Sequence, residues 1–219
     1  MPVITISRQF GAGGSRVGHA LAERFGAEYL DREIVRAVAQ RLQLRERDVT
    51  GYDEREPGLL DRFGWILAAG HAAPAFPEAL ATVPEPAVDV DRLTALTQQV
   101  IREAAARGNA VVVGRGGCFI LRERPGTLHV QCIADFEARL RYLRERVEEA
   151  PPEARPDEAS LRRLCQEVDQ ARGRYLHHVY GVDWRDPRHY TLVVDTGRLG
   201  IEGASEVIAR AAELCSRAG

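Results

Sequence analysis

The sequence predicts an α/β fold, a three-layer sandwich built on a five-stranded parallel sheet. Short unbroken apolar runs alternate with helical patterns, and a glycine-rich turn joins the first run to the first helix. At 219 residues and 45% hydrophobic content the chain can also bury one sizeable core.

The first strand is Val3 to Ser7, and Arg8-Gln-Phe-Gly-Ala-Gly-Gly-Ser15 follows it directly. Ser15 to Arg24 then sets Val17, Ala20, Leu21 and Phe25 at helical spacing, with Gly26 as the stop. Glu28-Tyr-Leu30 is a short second strand, and Asp31 is placed to cap a helix over Arg32 to Leu42. A helix over Thr97 to Arg107, ended by Gly108, leads to the third strand, Ala110 to Val113. Thr127 to Ala134 and Thr191 to Asp195 complete the sheet.

Two segments stand outside this alternation. Gly51 to Asp91, rich in Pro, Gly and Ala and carrying Phe63 and Trp65, reads as an insertion at about 51–91, with a short helix at Leu59 to Ala69 and then an irregular loop. Phe136 to Glu149 and Asp157 to Tyr180 are arginine-rich helical segments separated by Pro151, Pro152 and Pro156, and they read as a lid at about 136–180. The whole of 1–219 is expected to be one domain.

The opening loop matches the phosphate-loop template G-x-x-x-x-G-K-[ST] in part. Gly13 and Ser15 fall on the second glycine and the hydroxyl, whereas Arg8 takes the first glycine's place and Gly14 the lysine's. The fold expected is therefore of the P-loop NTPase type. The chain has no lysine at all, so a guanidinium, a metal ion, backbone N–H groups or a helix N-terminus must balance phosphate charge. Gly11-Ala-Gly13 also begins a dinucleotide fingerprint, but Arg16 occupies its third glycine position and argues against that reading. A glycine run of this kind serves a tight strand-to-helix turn as readily as a ligand, and the flanking strand and helix favour the ligand.

A formal net charge of −2 argues against general nucleic-acid binding. The four cysteines, Cys118, Cys132, Cys165 and Cys215, form no C-x-x-C pair and are expected to be reduced, with neither a zinc site nor a disulfide framework. His177, His178 and His189 lack a carboxylate at ligand spacing and read as ordinary polar residues. No run approaches the roughly 20 apolar residues of a membrane span, and the expected compartment is the cytoplasm.

Taken in order, Ile4-Thr-Ile-Ser-Arg-Gln-Phe-Gly-Ala-Gly-Gly-Ser15, Tyr29-Leu-Asp-Arg-Glu33, Val111-Val-Val-Gly-Arg-Gly116, Asp169-Gln-Ala-Arg172, Tyr180-Gly-Val-Asp-Trp184 and Val194-Asp-Thr-Gly-Arg198 resemble the cytidylate kinase-like branch of the P-loop nucleoside monophosphate kinases. The resemblance spans most of the chain. It implies transfer of the γ-phosphate of ATP, with Mg²⁺, to a nucleoside monophosphate, CMP or dCMP above all, on a five-stranded parallel sheet. The alternative is a nucleotide-binding regulatory or interaction protein that keeps the scaffold without efficient transfer, motivated by Gly14 in the lysine position and by a missing lid arginine. The partners implied are small-molecule nucleotides, without a membrane, and a homodimer is left open.

On this resemblance Gly11, Ala12, Gly13, Gly14, Ser15 and Arg16 bind ATP, and the Ser15 hydroxyl ligates Mg²⁺. Arg16 or Arg8 is expected to stand in for the lysine. Asp31, Arg32, Arg115, Asp169 and Arg172 are the acceptor residues, and Arg16, Arg115 and Arg172 the catalytic ones. Asp31 serves equally well as a helix cap. Asp169 and Arg172 match the D-x-x-R end of the lid motif R-D-x-x-D-x-x-R. Its leading arginine is replaced by Cys165, and Arg162 or Arg163 is the expected substitute. Arg139 and Arg144 are further lid candidates, although most lid arginines are expected to pair with neighbouring glutamates on a solvated face. No acidic residue follows Val113 to support Mg²⁺, and Asp135 is the expected replacement. Asp195 is expected to cap the turn after the last strand.

Overall fold

The computed structural model describes residues 2–31, 41, 90–148 and 155–218. The expected helices at Arg32 to Leu42 and Leu59 to Ala69, nearly all of the insertion, and Arg32 itself lie outside the described residues.

Five strands form one parallel sheet: β1 (Val3–Arg8), β2 (Glu28–Leu30), β3 (Ala110–Val113), β4 (Thr127–Ile133) and β5 (Leu192–Asp195), in the order β2-β3-β1-β4-β5. Ile6 of β1 is in register with Val113 of β3 on one side and Val130 of β4 on the other. The chain leaves β1 for one half of the sheet and returns to its other side at β4. This opens a crevice beyond the carboxyl end of β1, where open α/β sheets collect ligands.

The strands are largely apolar because both faces are covered, with Thr5, His129 and Gln131 as buried polar exceptions on β1 and β4. One face of β1 and β3, through Val3, Ala110 and Val112, packs on Val100, Ile101 and Ala104 of α2 (Val90–Arg107), with Leu121 beyond the short α3 (Gly117–Ile120). The alternate residues Ile4, Ile6, Val111 and Val113 pack on Val17 and Leu21 of α1 (Gly14–Phe25) and on Ala204, Ile208 and Ala212 of α6 (Thr196–Ala218). One-residue alternation thus feeds two helical layers.

The arginine-rich segments form α4 (Phe136–Val147) and α5 (Glu158–Tyr180), capped by Asp135 and Asp157. Leu140, Leu143, Leu161 and Leu164 join them in a third core, into which Phe10 of the glycine-rich loop inserts. The loop is therefore anchored by packing as well as by its backbone.

Sequence reasoning did not anticipate α3 or α6, and it began α2 late. For α6 the signal is present, since Ile201, Ala204, Ile208 and Ala212 recur at helical spacing, but Gly200 breaks the first turn with φ 68° and ψ 176°. No helix among the described residues is long and apolar enough to cross a membrane.

Candidate functional site

The loop after β1 is held at both ends. Gln9 N–H donates to Cys132 O (3.0 Å), Ala134 N–H donates to the Gln9 side-chain carbonyl (3.0 Å), and the Thr196 hydroxyl donates to Ala12 O (2.8 Å). Gly11 and Gly13 take φ of 80° and 68°, which glycine adopts without steric cost. Space also requires them, because a Cβ on Gly11 would stand 2.9 Å from Arg139 O and one on Gly13 would collide with Ile201. Gly13 is the N-cap residue of α1 and provides no side-chain acceptor for the first-turn N–H groups of Gly14, Ser15 and Arg16. Ser15 Oγ donates to Asp31 Oδ2 over 3.4 Å, and Tyr29 OH reaches the same oxygen at 3.3 Å. Burial, reinforced by the Asp31 charge, raises the Tyr29 phenol above its ordinary pKa, so it stays a donor at neutral pH.

A pocket between the ends of β1 and β3 and one face of α5 is lined by Arg8, Arg115, Arg172 and Tyr175, with Gly114 and Gly116 beside them. The turn bearing Arg115 is left-handed at three successive residues, with φ of 77°, 55° and 70° at Gly114, Arg115 and Gly116. Arg115 pays a steric penalty of about 1–2 kcal/mol there that its flanking glycines escape. Hydrogen bonds from Gly114 N–H to Ile6 O and from Gly117 N–H to Gly114 O, both 2.9 Å, hold the turn against the sheet. Gly116 is packed under Tyr180, whose ring carbon would meet an added Cβ at 2.6 Å.

The D-x-x-R spacing places Asp169 and Arg172 one turn apart on the buried face of α5. Asp169 Oδ1 accepts from Phe10 N–H (2.8 Å) and from Arg172 Nη1 (3.2 Å), and Oδ2 accepts from Arg139 Nη1 (2.7 Å). Arg172 Nη1 also donates to Arg8 O (2.6 Å), and its guanidinium lies over Trp184. The pair therefore grips the loop backbone on either side of Gln9.

Several expectations are corrected here. Arg162 and Arg163 do not replace the missing lid arginine: Arg163 is exposed, and Arg162 pairs with Glu137 (2.9 Å) and Glu158 (3.2 Å) at the surface. The arginine beside both Asp169 and Cys165 is Arg139 of α4, 5% exposed. Arg144 is likewise committed, to Glu158 at 2.6 Å. The Asp135 carboxylate caps α4 through Ala138 N–H (2.9 Å), whereas Asp31 is the carboxylate beside Ser15. Arg16 is exposed on α1 and does not line the pocket. Asp195, by contrast, caps the following turn as expected, through Gly197 N–H (3.0 Å); among the described residues no cluster of metal-ligating side chains occurs.

The sequence profile of the cytidylate kinase-like family matches residues 3–198. No curated protein matches the chain. Among solved structures, an uncharacterized protein from Eubacterium ventriosum superposes with a TM-score of 0.66 at 19% identity, covering 97% of this chain and 99% of that one. Shikimate kinase from Bacteroides thetaiotaomicron superposes at 0.50 and 15% identity, with 96% and 97% covered. These likenesses show a P-loop kinase fold. With the family profile running from β1 to the turn after β5, across the loop, the Arg115 turn and the Asp169–Arg172 pair, the chain belongs to the cytidylate kinase-like family.

Proposed function

We propose that this protein transfers the γ-phosphoryl group of ATP to a nucleoside monophosphate, with CMP or dCMP the first acceptors to test. The observation that carries the reading is the convergence of Arg115 and Arg172 on one pocket at the carboxyl end of the sheet, adjoining a glycine loop and a helix N-terminus without a side-chain cap. Phosphoryl transfer asks little covalent chemistry of a protein and much positioning and charge compensation.

The residues fit the nucleotide and its metal. The backbone of Gly11, Ala12, Gly13 and Gly14 gives close approach, the first turn of α1 offers N–H donors to the phosphates of ATP, and Ser15 Oγ with Asp31 at 3.4 Å gives hard oxygen donors suited to Mg²⁺. Bound there, ATP supplies the phosphoryl group and Mg²⁺ offsets the charge on its oxygens. Arg115 binds the acceptor phosphate through its planar fork, and Arg172, fixed by Asp169, adds positive charge at the same mouth. Asp31 orients the Ser15 hydroxyl, and Tyr29 holds Asp31 from behind. The helix α5, tied to the loop at Phe10 and Arg8, walls the crevice and keeps water from it.

The test is ADP release from ATP and Mg²⁺ across CMP, dCMP, UMP, AMP and GMP. Turnover stimulated by one acceptor supports the reading and names the substrate. ATP binding with no acceptor-dependent turnover would instead favour a nucleotide-binding regulatory role.

A further inference from the structure

We infer that Arg8, at the end of β1, is the phosphate-binding cation of this loop, and that position 14 is glycine to make room for it. The inference rests on the nucleotide-binding reading above. The two departures from the phosphate-loop template are one exchange in space. A Cβ on Gly14 would stand 2.6 Å from Arg8 Cβ and 3.0 Å from Arg8 Cγ, so a side chain at position 14 and the stem of Arg8 exclude each other. The template puts a cation at position 14 and nothing at position 8. This chain puts the cation at position 8 and nothing at position 14.

Arg8 continues from that stem across Gly114, where an added Cβ would collide with Nη1 and stand 2.9 Å from Cζ. Its side chain is only 16% exposed, and Nη1 is buried with no hydrogen-bond partner among the described residues. Nη2 lies 3.7 Å from Asp31 Oδ1, beyond hydrogen-bond length. Buried guanidinium donors are ordinarily satisfied, and leaving one open is costly. Arg8 lines one pocket with Arg115 and Arg172, and the buried carboxylate of Asp169 beside them is divided between Arg139 and Arg172. An anion with several oxygens, such as a phosphate, answers both the open donor and the clustered positive charge, and a planar fork suits it. The position lies between the glycine loop and the Arg115 turn, the place of the group in transit between donor and acceptor.

The role as a mere partner of Asp31 makes a different prediction, loss of stability without loss of anion affinity. Calorimetric titration of the full chain with inorganic tripolyphosphate and with MgATP, alongside thermal unfolding, separates the two. Arg8→Met is expected to fold and to lose about tenfold or more in tripolyphosphate affinity. Arg8→Gly is expected to lose as much, and the double variant R8G/G14K to regain most of it, because the lysine then has the space the arginine vacated. Gly14→Lys alone, with Arg8 in its way, is expected to gain nothing. Wild-type affinity in folded Arg8→Met, or a double variant no better than Arg8→Gly, would overturn the inference. If the unaltered chain binds neither probe, the nucleotide-binding reading fails first and the inference falls with it. That outcome is visible before any variant is made.

Discussion

Arg115 shows most sharply how one residue is kept against its local preference. It holds φ 55° between two glycines, a conformation in which a glycine would be more comfortable. Arg115→Gly is therefore expected to keep or raise the unfolding midpoint while acceptor-dependent turnover falls by about 100-fold or more, as measured by thermal unfolding and ADP release on the same preparation. The cysteines illustrate the opposite case, residues with a packing role only. Burial pushes the Cys118 and Cys132 thiols up to about 12 and Cys165 to about 11, so all three stay protonated and shielded at neutral pH. Iodoacetamide at about pH 8 is expected to label the half-buried Cys215 alone in the folded chain and all four in denaturant. The same burial fixes a pH dependence. Above the ordinary thiol value of about 8.5 the unfolded chain releases protons that the folded chain keeps, so stability falls as pH rises toward 11–12. His129, held neutral chiefly by burial beside Thr5, acts at the other end: below about 6.5 the unfolded chain takes up a proton that the folded chain refuses, and stability falls again. Urea midpoints between pH 5 and pH 10 are expected to peak between these limits, within a range of about 6.5 to 8.5.

Among the elements, α5 depends on Asp169, whose two oxygens serve two arginines and a backbone N–H. Asp169→Ala leaves Arg139 and Arg172, both buried, without their shared carboxylate, and is expected to cost about 3–5 kcal/mol in urea denaturation. Arg144→Ala, which breaks only exposed pairs, with Glu158 at 2.6 Å and Glu137 at 4.0 Å, is expected to leave the midpoint where it was. The sequence exposes these elements unevenly. Apolar runs located all five strands, because a sheet covered on both faces leaves little ambiguity of period, and the prolines between 151 and 156 marked the break between α4 and α5, whereas the capping role of Asp135 was not read. The spacing of Asp169 and Arg172 was legible as one helical face, but their hold on Phe10 N–H and Arg8 O was not, since periodicity says nothing of what a face meets. Arg139 was missed as the partner of Asp169 for the same reason: it comes from another helix, and only the packing of α4 on α5 joins them. Arg8 and Gly14 were visible as separate anomalies of one motif. Their mutual exclusion appears only when the stem of one fills the space above the other.

At the scale of the molecule, the strand order gathers into one crevice a loop after β1, a turn after β3, the carboxylate after β2 and the buried face of α5. A chain of net charge −2 thus concentrates three guanidiniums, from Arg8, Arg115 and Arg172, at one mouth. Local charge of this kind attracts a polyphosphate without making the whole surface a nucleic-acid binder. Tripolyphosphate affinity is accordingly expected to weaken as salt is raised from about 0.05 to 0.5 M, with the slope reduced in Arg8→Met, as titrations at the two salt levels would register. The central claim is that this crevice moves a phosphoryl group from ATP to a nucleoside monophosphate. Phosphorus NMR of the purified chain with ATP, Mg²⁺ and CMP or dCMP tests it most directly, because donor, acceptor and both diphosphate products have separate resonances. The account predicts that a pyrimidine diphosphate and ADP appear together in equal amounts, and that both appear about 100-fold or more slowly in Arg115→Gly. Persistence of ATP and the monophosphate with the unaltered protein, or release of inorganic phosphate in place of the second diphosphate, would contradict it.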